Sequence, residues 1–575
     1  MDESSGNGTG IGAAAPVDLG GHDAMQAMVR EFDAFGRIQD PVRAAQRGDP
    51  LALRRWPDNS PAAVADRRRA LERFRGRLAA LDATVLAGED ALNHELLADR
   101  VGTALEALAF DEERIPFISG DGFYTTPDYA ALNTTLHDEA AAEAWLARLA
   151  ALPGYFAIET ANLARGVATG WTQPRATVER ALADLRVQAT QAPRDTLLFA
   201  PFAALPESLP AARHEALRSR GLEVIARQVR PAQLALAAYL ERDYLPAARE
   251  RPAIASLPGG SAYYEHLVRR HTSTSMTPRE VYEVGLDEIE RVRGEMDAVR
   301  RETGFDGTHA QFIAHLRQEP RFYVDAVRYG EKASEIAKRA DMALPRFFGR
   351  LPRLTYGVVP MPRGLESSAN GYLPGSPESG APGLVVFKPW LAPRTPLFGL
   401  AAWVLHEGVP GHHLQIALAQ EMPGLPDFRR ADDLTTYVEG WGLYAERLGE
   451  EMGIYRDAYE RFGRLSLEIW RACRLVVDTG LHAFDWTRER AVACLHEHSA
   501  LAPEEIGFEV DRYIAWPGQA LAYKIGELKM RQLRRRAEAA LGARFDLRQF
   551  HDVVLLQGAV PLDVLEGMVE RYIKE

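Results

Sequence analysis

The sequence of 575 residues contains only two cysteines, Cys473 and Cys494. Two thiols cannot form a disulfide framework, and they are too few for a zinc site built on cysteine. The sequence also lacks any run of about 18 apolar residues, the length that a membrane-spanning helix requires. We therefore expect neither a fold held by disulfides nor an integral membrane protein.

The sequence also has fewer basic than acidic residues. The 68 lysines and arginines are outnumbered by 80 aspartates and glutamates, which gives a formal net charge of -12 at pH 7. Such a chain has no overall attraction for phosphate backbones or anionic lipid, so we expect neither nucleic acid nor membrane as a partner. Because the amino terminus lacks the basic start and apolar core of a signal peptide, we expect a cytoplasmic location. The sequence leaves the oligomeric state open.

Most of the chain has the spacing of amphipathic helices. In the range 23–250 apolar residues recur at intervals of three and four, as at Leu71, Phe74 and Leu78. We find no internal sequence repeat. We predict a mainly α fold, and the chain length favours either one large two-lobed helical body or two to three domains over a single small core. Of these we expect the two-lobed body, with a deep cleft.

The chain is divided into three segments, of which the last two are lobes of one fold rather than independent domains. Residues 1–21 are acidic and rich in glycine, alanine and serine, and we predict that they form a disordered tail. Residues 22–270 are predicted to form an N-terminal helical lobe, and residues 271–575 a C-terminal lobe that carries a metal site. Within the second lobe, Thr277 has the neighbours of a helix N-cap.

One region departs from the helical pattern. The ranges 354–362 and 383–389 are short runs of β-forming residues, and the range 363–382 between them is rich in glycine, proline and serine. We predict a small β-sheet just before the metal-binding helix. In a peptidase, an edge strand of such a sheet could pair with an extended substrate backbone.

The residues that point to chemistry lie in the range 406–413, whose sequence is HEGVPGHH. Thr395 and Pro396 predict the start of the buried helix that carries it. A zinc hydrolase needs neutral imidazoles to hold the metal and a carboxylate beside the open coordination position. On a straight helix H-E-x-x-H meets this need, because residues four apart share a face. Here Pro410 occupies the fourth position after His406, so the simple pattern fails.

The second histidine ligand is either His412 or His413. On an undistorted helix His412 would point about 120° away from the face of His406, whereas His413 would face correctly but lie about 10 Å along the axis. The intervening proline interrupts helical hydrogen bonding, and Gly411 tolerates unusual dihedral angles. Because a two-residue bulge there would return His412 to the face of His406, we prefer His412, with Glu407 as general base.

A third ligand is expected from a second helix that crosses the first, and the range 433–450 has the pattern of such a helix. Glu439 and Glu446 lie seven residues apart on one of its faces. Gly440 and Gly442 permit a close approach of helices beside Glu439. We therefore predict Glu439 as the ligand and Glu446 as a carboxylate that orients a ligating histidine.

The range 509–526 supplies candidates for substrate binding. The hydroxyls of Tyr513 and Tyr523 are suitable donors to a carbonyl oxygen on which negative charge develops. Arg512 or Lys524 could bind a substrate carboxylate. Either tyrosine is also consistent with a core residue whose hydroxyl reaches the rim.

Two other polar positions resemble parts of a metal site. His482 is a further candidate for a side chain that orients the ligands. The range 496–498, with the sequence HEH, looks similar to the main motif but lies on a charged helix. We interpret it as a solvent-exposed face.

Three strings, HEGVPGHHLQ, YVEGWGLYAERL and RYIAWPGQALAYKIG, resemble the hallmarks of a bacterial family of unknown function, DUF885. The resemblance covers nearly the whole chain after the tail. That family is similar to gluzincin-type zinc peptidases of helical, clefted fold, among them angiotensin-converting enzyme, thimet oligopeptidase and dipeptidyl peptidase III. In those peptidases a glycine precedes the second histidine, as Gly411 precedes His412 here.

The resemblance implies roles for particular residues and a reaction class, but no substrate. It implies His406, His412 and Glu439 as metal ligands, Glu407 as general base, and Tyr513 or Tyr523 as donor to the carbonyl oxygen. Proline in the motif is the departure from the gluzincin pattern.

We therefore expect a zinc-dependent metallohydrolase with one ion, most simply a dipeptidase, carboxypeptidase or oligopeptidase that acts on short peptides or peptide-like small molecules. Manganese and cobalt are alternative metals. The alternative functions are a specialised amidase that acts on a secondary metabolite and a non-catalytic helical scaffold with a vestigial metal site. Glu407 disfavours the scaffold, because a structural site is closed by four ligands and has no use for a free carboxylate.

Overall fold

The structure is a computed structural model that describes residues 20–361, 371–377, 380–430 and 434–575. These described residues form 24 α-helices and five short β-strands. The chain is therefore mainly α, as predicted. The predicted tail, residues 1–21, lies outside the described residues except for its last two positions.

The helices follow one another along the whole described chain. The first twelve are α1 (Gly21–Gln39), α2 (Pro41–Gln46), α3 (Pro61–Ala80), α4 (Gly88–Phe110), α5 (Thr126–Leu132), α6 (Glu139–Thr169), α7 (Arg175–Thr190), α8 (Ala200–Ala203), α9 (Ala211–Val224), α10 (Arg230–Tyr239), α11 (Gly260–Thr272) and α12 (Pro278–Glu302). The others are α13 (His309–Gln318), α14 (Ala326–Ala343), α15 (Leu400–Glu407), α16 (His412–Glu421), α17 (Asp427–Arg430), α18 (Thr435–Glu451), α19 (Ala458–Ala483), α20 (Arg488–His498), α21 (Pro503–Ala515), α22 (Ala522–Leu541), α23 (Leu547–Leu555) and α24 (Leu562–Lys574). None of the described helices is both long and apolar enough to cross a bilayer.

Five strands make two small sheets. Strands β1 (Phe117–Ile118) and β2 (Asp121–Gly122) form an antiparallel pair. The second sheet consists of β3 (Tyr356–Pro360), β4 (Gly371–Leu373) and β5 (Gly383–Phe387), in the order β3-β5-β4. Strand β5 runs parallel to β3 and antiparallel to β4. This sheet immediately precedes α15, where the sequence predicted one.

The predicted runs 354–362 and 383–389 contain β3 and β5, so both strand predictions are confirmed. Strand β4 lies within the range 363–382, which the sequence analysis assigned to no strand. Its three residues, Gly371 to Leu373, form a strand by pairing with β5. They show no alternation of apolar side chains from which a strand could be predicted.

Helix α12 begins where the sequence predicted. The hydroxyl of Thr277 accepts a hydrogen bond from the backbone N–H of Glu280, and the Glu280 carboxylate accepts one from the N–H of Thr277. This reciprocal cap satisfies two backbone donors that the first turn leaves free, so the helix start is fixed locally.

Helix α19 is packed along α12 and is buried over most of its length. Its buried residues include six polar ones that recur at intervals of three and four: Arg464, Glu468, Arg471, Arg474, Asp478 and His482. A buried polar stripe of this kind is costly unless each group finds a partner. The stripe therefore places charged groups inside the protein, next to the site described below.

The hydrophobic core is divided among three large clusters. One joins α1, α3 and α4 to α15, α18 and the C-terminal helices, so it includes residues from both sides of position 270. A second lies within residues 56–248, and a third within residues 289–520. The division into lobes 22–270 and 271–575, and the cleft between them, stay predictions.

Candidate metal centre

The HEGVPGHH segment does not form one continuous helix. Helix α15 ends at Glu407, and α16 begins at His412. A Cβ atom at Gly411 would lie 1.9 Å from the backbone oxygen of His406, a clash that only glycine avoids. The break brings the ring of His412 next to that of His406, with ring centroids 4.6 Å apart. The prediction that a distortion at Pro410 returns His412 to the face of His406 is confirmed, although the helix is interrupted rather than bulged.

Helix α15 also begins later than predicted. The Thr395 hydroxyl donates a hydrogen bond back to the carbonyl of Leu391 at 3.1 Å, so it does not cap the helix. A single 3-10 turn, Leu397–Gly399, precedes the first α-helical residue, Leu400. The predicted start at Thr395 and Pro396 is wrong, because the Thr395 hydroxyl bonds to the preceding turn and not to the first turn of α15.

His413 is engaged away from the other histidines. Its Nε2 donates to the carbonyl of Leu354 at 3.0 Å, and its Nδ1 accepts from the Tyr372 hydroxyl at 2.9 Å. Burial lowers the pKa of His413 to about 4, so the ring is neutral. Both ring nitrogens of His413 are thus bonded to Tyr372 in the small sheet and to Leu354 just before it. The geometry therefore favours His412 as the second ligand.

Helix α18 brings a carboxylate to the two histidines. The Oε2 atom of Glu439 lies 3.2 Å from His406 Nε2 and 3.4 Å from His412 Nε2. A Cβ atom at Gly442 would lie 2.7 Å from Cε1 of His406, and one at Gly440 would lie 2.6 Å from the backbone of α22. Both glycines therefore allow the close helix approach that the sequence predicted.

The spacing of these three side chains fits a small metal ion. The donor atoms of His406, His412 and Glu439 all lie within 4.8 Å of one another. Zinc binds nitrogen and carboxylate oxygen at about 2.0–2.2 Å, so two donors at corners of a tetrahedron are about 3.3 Å apart. The separations of 3.2 Å and 3.4 Å agree with that value. Three protein ligands with a fourth position open are typical of catalytic rather than structural zinc sites.

Glu446 fixes the orientation of the first histidine, as predicted. Its Oε1 atom accepts a hydrogen bond from His406 Nδ1 at 2.9 Å, which leaves Nε2 of the same ring directed at Glu439. Arg471 Nη2 lies 3.4 Å from the same Oε1 atom. A carboxylate in this position selects the imidazole tautomer whose Nε2 lone pair is free to bind a metal.

The electrostatics of the cluster reflect its burial and its mixed charges. Burial would raise the pKa of Glu439, but the neighbouring imidazoles of His412 and His406 hold it well below its usual range. Burial would lower the pKa of His406, but its hydrogen bonds to Glu439 and Glu446 raise it to about 9. Burial raises the pKa of Glu407. Glu439 is therefore anionic and ready to bind a cation.

Strand β4 runs beside the candidate base. A Cβ atom at Gly371, the first residue of β4, would lie 3.8 Å from Oε2 of Glu407. Among the described strands, β4 has a neighbour on one side only. An extended chain could therefore pair with its free edge and pass close to Glu407.

Tyr523 stands next to the ligands, whereas Arg512 reaches them only indirectly. The Tyr523 ring is nearly parallel to that of His406, with centroids 6.3 Å apart. Its hydroxyl accepts a hydrogen bond from Gln519 Nε2 at 3.4 Å, which leaves the hydroxyl proton free to be donated. Arg512 binds the other side of that amide, at 2.7 Å from Gln519 Oε1, and forms an ion pair with Glu509 at 3.0 Å.

Tyr513 and Lys524 are engaged with other parts of the chain. The Tyr513 hydroxyl accepts hydrogen bonds from Trp470 Nε1 and Arg474 Nε, both at 2.8 Å. The fully buried Nζ of Lys524 forms ion pairs with Glu288, Glu468 and Glu527. The polar atoms of both residues are therefore already bonded within the protein.

The remaining histidines predicted from the sequence lie elsewhere. His482 donates from Nε2 to the carbonyl of Tyr513 at 2.9 Å and accepts at Nδ1 from the N–H of Ile254 at 3.2 Å. Burial lowers the pKa of His482 to about 3. It joins backbone segments and contacts no ligand, so its suggested orienting role is wrong. In the range 496–498 the first two residues are exposed, as predicted, and the third is half-buried.

Sequence reasoning missed two arginines of α19. Arg471 lies beside Glu446, and the guanidinium carbon of Arg474 lies 4.3 Å from the centre of the Tyr523 ring. The polar stripe on an otherwise apolar helix was the available signal, because buried charges need partners or ligands.

A cavity of about 1450 Å³ lies apart from the three ligands. Thr435 of α18, Ile525 of α22 and Trp516 line it, and none of the candidate metal ligands does. Its size alone does not indicate chemistry, whereas converging donor atoms do. We therefore place the functional site at the three-ligand cluster.

Residues 41–569 match the model of a family described as "Bacterial protein of unknown function (DUF885)". No curated protein matches the chain.

Two solved structures have a similar fold over nearly their whole length. One, described as "the putative lipoprotein from Colwellia psychrerythraea", has a TM-score of 0.88 and 26% identity, and the match covers 96% of this chain and 99% of that one. The other, described as "a putative lipoprotein of unknown function from Shewanella oneidensis", has a TM-score of 0.71 and 16% identity, and covers 96% and 100%. The second likeness concerns the fold alone.

Proposed function

This chain belongs to the DUF885 family, and we propose that it is a zinc-dependent hydrolase that acts as a peptidase on short peptides. One observation carries the proposal: the donor atoms of His406, His412 and Glu439 converge within 4.8 Å, and the buried carboxylate of Glu407 interacts electrostatically with all three. A buried carboxylate that is not a ligand, next to a three-ligand site, is what water-activating metal sites require.

His406, His412 and Glu439 would hold the ion. When bound, a divalent metal would supply Lewis acidity, which polarises a carbonyl and lowers the pKa of a water molecule. Glu407 accepts a proton from the attacking water and passes it to the amine that leaves. Glu446 keeps the Nε2 lone pair of His406 directed at the metal position through its bond to Nδ1.

Two further elements would position the substrate. The Tyr523 hydroxyl, which accepts from Gln519, donates its proton to the carbonyl oxygen as negative charge develops there. The free edge of β4 binds the extended peptide backbone beside Glu407. Because Tyr513 is held by Trp470 and Arg474, we assign the donor role to Tyr523.

The similarity to gluzincin peptidases supports the same assignment. In the order of the chain, a histidine and a glutamate are followed by a glycine and a second histidine, and then by a glutamate on the next long helix, α18. The insertion of two residues between the histidines is accommodated by the break between α15 and α16. The pattern and the geometry therefore favour one set of ligands.

The cytoplasm remains the proposed location, on the sequence-based expectation alone. The lipoprotein descriptions of the two similar structures concern those proteins. Fractionation of cells that produce this protein tests the proposal, and recovery with the envelope would contradict it.

The experiment that tests the proposed reaction combines metal analysis with hydrolysis of a peptide library. We expect about one zinc ion per chain and cleavage that chelation abolishes. Glu407→Gln should keep the zinc and lower the rate by about 10²–10⁴-fold, because a positioned general base contributes that much. The matched control is Glu497→Gln, which changes the exposed carboxylate of the similar HEH string.

Three results would count against the proposal. Zinc-loaded wild type that cleaves no peptide would favour the non-catalytic scaffold. Full activity of Glu407→Gln would show that Glu407 is not the general base. An absence of bound metal would show that the three residues do not form a metal site.

A further inference from the structure

We infer that the guanidinium of Arg474 binds a substrate carboxylate, so that the free carboxyl terminus of a short peptide is part of what the site recognises. This inference rests on the proposed hydrolase function and specifies its substrate class. It replaces the sequence-based expectation that Arg512 or Lys524 has this role.

Arg474 is held rigidly beside the candidate metal centre. Its guanidinium carbon lies 4.2 Å from the centre of the Trp470 ring and 4.3 Å from that of the Tyr523 ring. Its Nε donates to the Tyr513 hydroxyl at 2.8 Å, and its Nη2 donates to Glu509 at 2.9 Å. Two ring contacts and two hydrogen bonds fix the plane of the group, which suits directional binding of a carboxylate.

One nitrogen of this guanidinium is left without a partner. Arg474 is 2% exposed, and its Nη1 atom has no hydrogen-bond partner among the described residues. A buried charged donor in this state is costly, and an incoming anionic ligand could complete its hydrogen bonding. Arg512 differs, because its Nη1 and Nη2 atoms bind Gln519 and Glu509. The unpaired Nη1 donor therefore distinguishes Arg474 from Arg512.

The surroundings of Arg474 carry an excess of positive charge. Glu509 accepts from both Arg474 and Arg512, which outweigh the effect of burial and lower the pKa of Glu509 to about 2. One carboxylate thus faces two guanidinium groups. Burial raises the pKa values of two further carboxyl groups in this region, Glu505 and Asp478, to about 7, so they offset only part of the excess. Arg471 does not add to this excess, because its Nη2 atom lies 3.4 Å from Glu446, but the two guanidinium groups at Glu509 favour an anion.

The distance from the candidate metal ligands limits the length of the substrate. Arg474 and His406 share the ring of Tyr523 as a neighbour. The guanidinium carbon of Arg474 lies 4.3 Å from the centre of this ring, and the centre of the His406 ring lies 6.3 Å from it. An extended peptide spans about 3.3–3.6 Å per residue. A carboxylate bound at Arg474 would therefore belong to the first few residues after the cleaved bond. This predicts cleavage near the free carboxyl end.

The test uses the zinc-loaded, full-length protein and pairs of di- to tetrapeptides that differ only in a free or amidated carboxyl terminus. For peptides that are cleaved, we expect amidation to lower kcat/KM by about 10- to 100-fold, the value of a hydrogen bond to a charged group. A second set exchanges glutamate for glutamine within amidated peptides, which distinguishes a side-chain carboxylate from the chain terminus as the bound group.

Variants then assign the effect to one residue. In Arg474→Gln the preference for free acid over amide should fall close to one, whereas Arg512→Gln should retain it. Binding of N-acetyl-alanine and N-acetyl-alaninamide, measured by calorimetry, should show the same difference without any turnover. Circular dichroism shows whether Arg474→Gln is folded. If it is not, the comparison of acid and amide is made with the wild type and with Arg474→Lys, and it still tests whether the site recognises a carboxylate.

Equal cleavage of acids and amides would overturn this inference and leave the proposed function intact. Loss of the preference in Arg512→Gln but not in Arg474→Gln would also overturn it. A preference only for glutamate side chains would exclude the chain terminus as the recognised group. Failure to cleave any peptide would overturn the proposed function, and this inference with it.

Discussion

Two carboxylates in this protein, the buried Glu468 and the partly buried Glu439, lie in clusters that differ in what neutralises the charge. Glu468 of α19 is contacted by cations of the chain itself, Lys524, Arg464 and Arg291. Glu439 of α18 faces two imidazoles, both with Nε2 within 3.4 Å of the same oxygen. The first cluster is complete without a ligand. The second brings two ring nitrogens and a carboxylate oxygen around one point, where a metal cation from solution could replace a ring proton.

A third buried carboxylate follows neither pattern. Asp478 accepts hydrogen bonds from the Tyr264 hydroxyl at 2.6 Å and from the N–H of Gly518 at 3.0 Å. Both partners are neutral, and burial raises the pKa of Asp478 to about 7. The molecule therefore shows three ways to keep a carboxylate inside: an ion pair, a metal position and a proton.

The largest effect is expected from removing a ligand of the metal position. His412→Gln should lower bound zinc from about one ion per chain to a trace, because two remaining ligands hold zinc weakly. His413→Gln is the matched control and should keep its zinc, since its ring is bonded to Tyr372 and Leu354. Elemental analysis after dialysis measures both. Loss of zinc in the control instead would reverse the choice of ligand.

The ion-paired cluster should respond in stability and not in metal content. Lys524→Met leaves Glu288, Glu468 and Glu527 with fewer cations in a buried environment. Breaking one partner of a buried ion pair costs about 3–5 kcal/mol, which urea denaturation would detect as a lower midpoint. Zinc content of the folded variant should be unchanged. A destabilisation below about 1 kcal/mol would show that the cluster is not held by charge.

A smaller effect is expected at the carboxylate that orients His406. Glu446→Gln weakens the bond that orients His406 and should raise the dissociation constant for zinc by about 10- to 100-fold. Glu451→Gln, on the same helix but half-exposed and paired with Arg534, should leave it unchanged. Competition with a chelator measures both constants. Equal zinc affinities in the two variants would show that Glu446 does not orient His406 for metal binding.

The smallest effect is a dependence of stability on pH. Because the pKa of Asp478 is higher in the folded protein than in the unfolded chain, its contribution is greatest below about pH 4 and is lost as the pH rises toward 7. Asp478→Asn removes this loss, so the stability difference between the two proteins should change by at most about 1.4 kcal/mol per pH unit in that window. Urea midpoints at pH 4 to 8 test it, and a constant difference would contradict it.

Local patterns in the sequence predicted much of the fold. The helical spacing, the cap at Thr277 and the runs that became β3 and β5 depend on near neighbours, and all three were confirmed. Strand β4 and the true start of α15 were not predicted. They depend on pairing with β5 and on a hydroxyl that bonds upstream, neither of which a local pattern records.

The sequence by itself determined which groups are available: an adjacent histidine and glutamate, two more histidines after a proline and a glycine, and a glutamate between small residues. Only the tertiary structure decided which of them meet. His412 rather than His413 faces His406, Tyr523 rather than Tyr513 lies beside the ligands, and Arg474 rather than Arg512 keeps an unpaired donor. These choices depend on contacts among α15, α18, α19 and α22, which lie tens of residues apart, because burial and hydrogen bonding are satisfied in space and not along the chain.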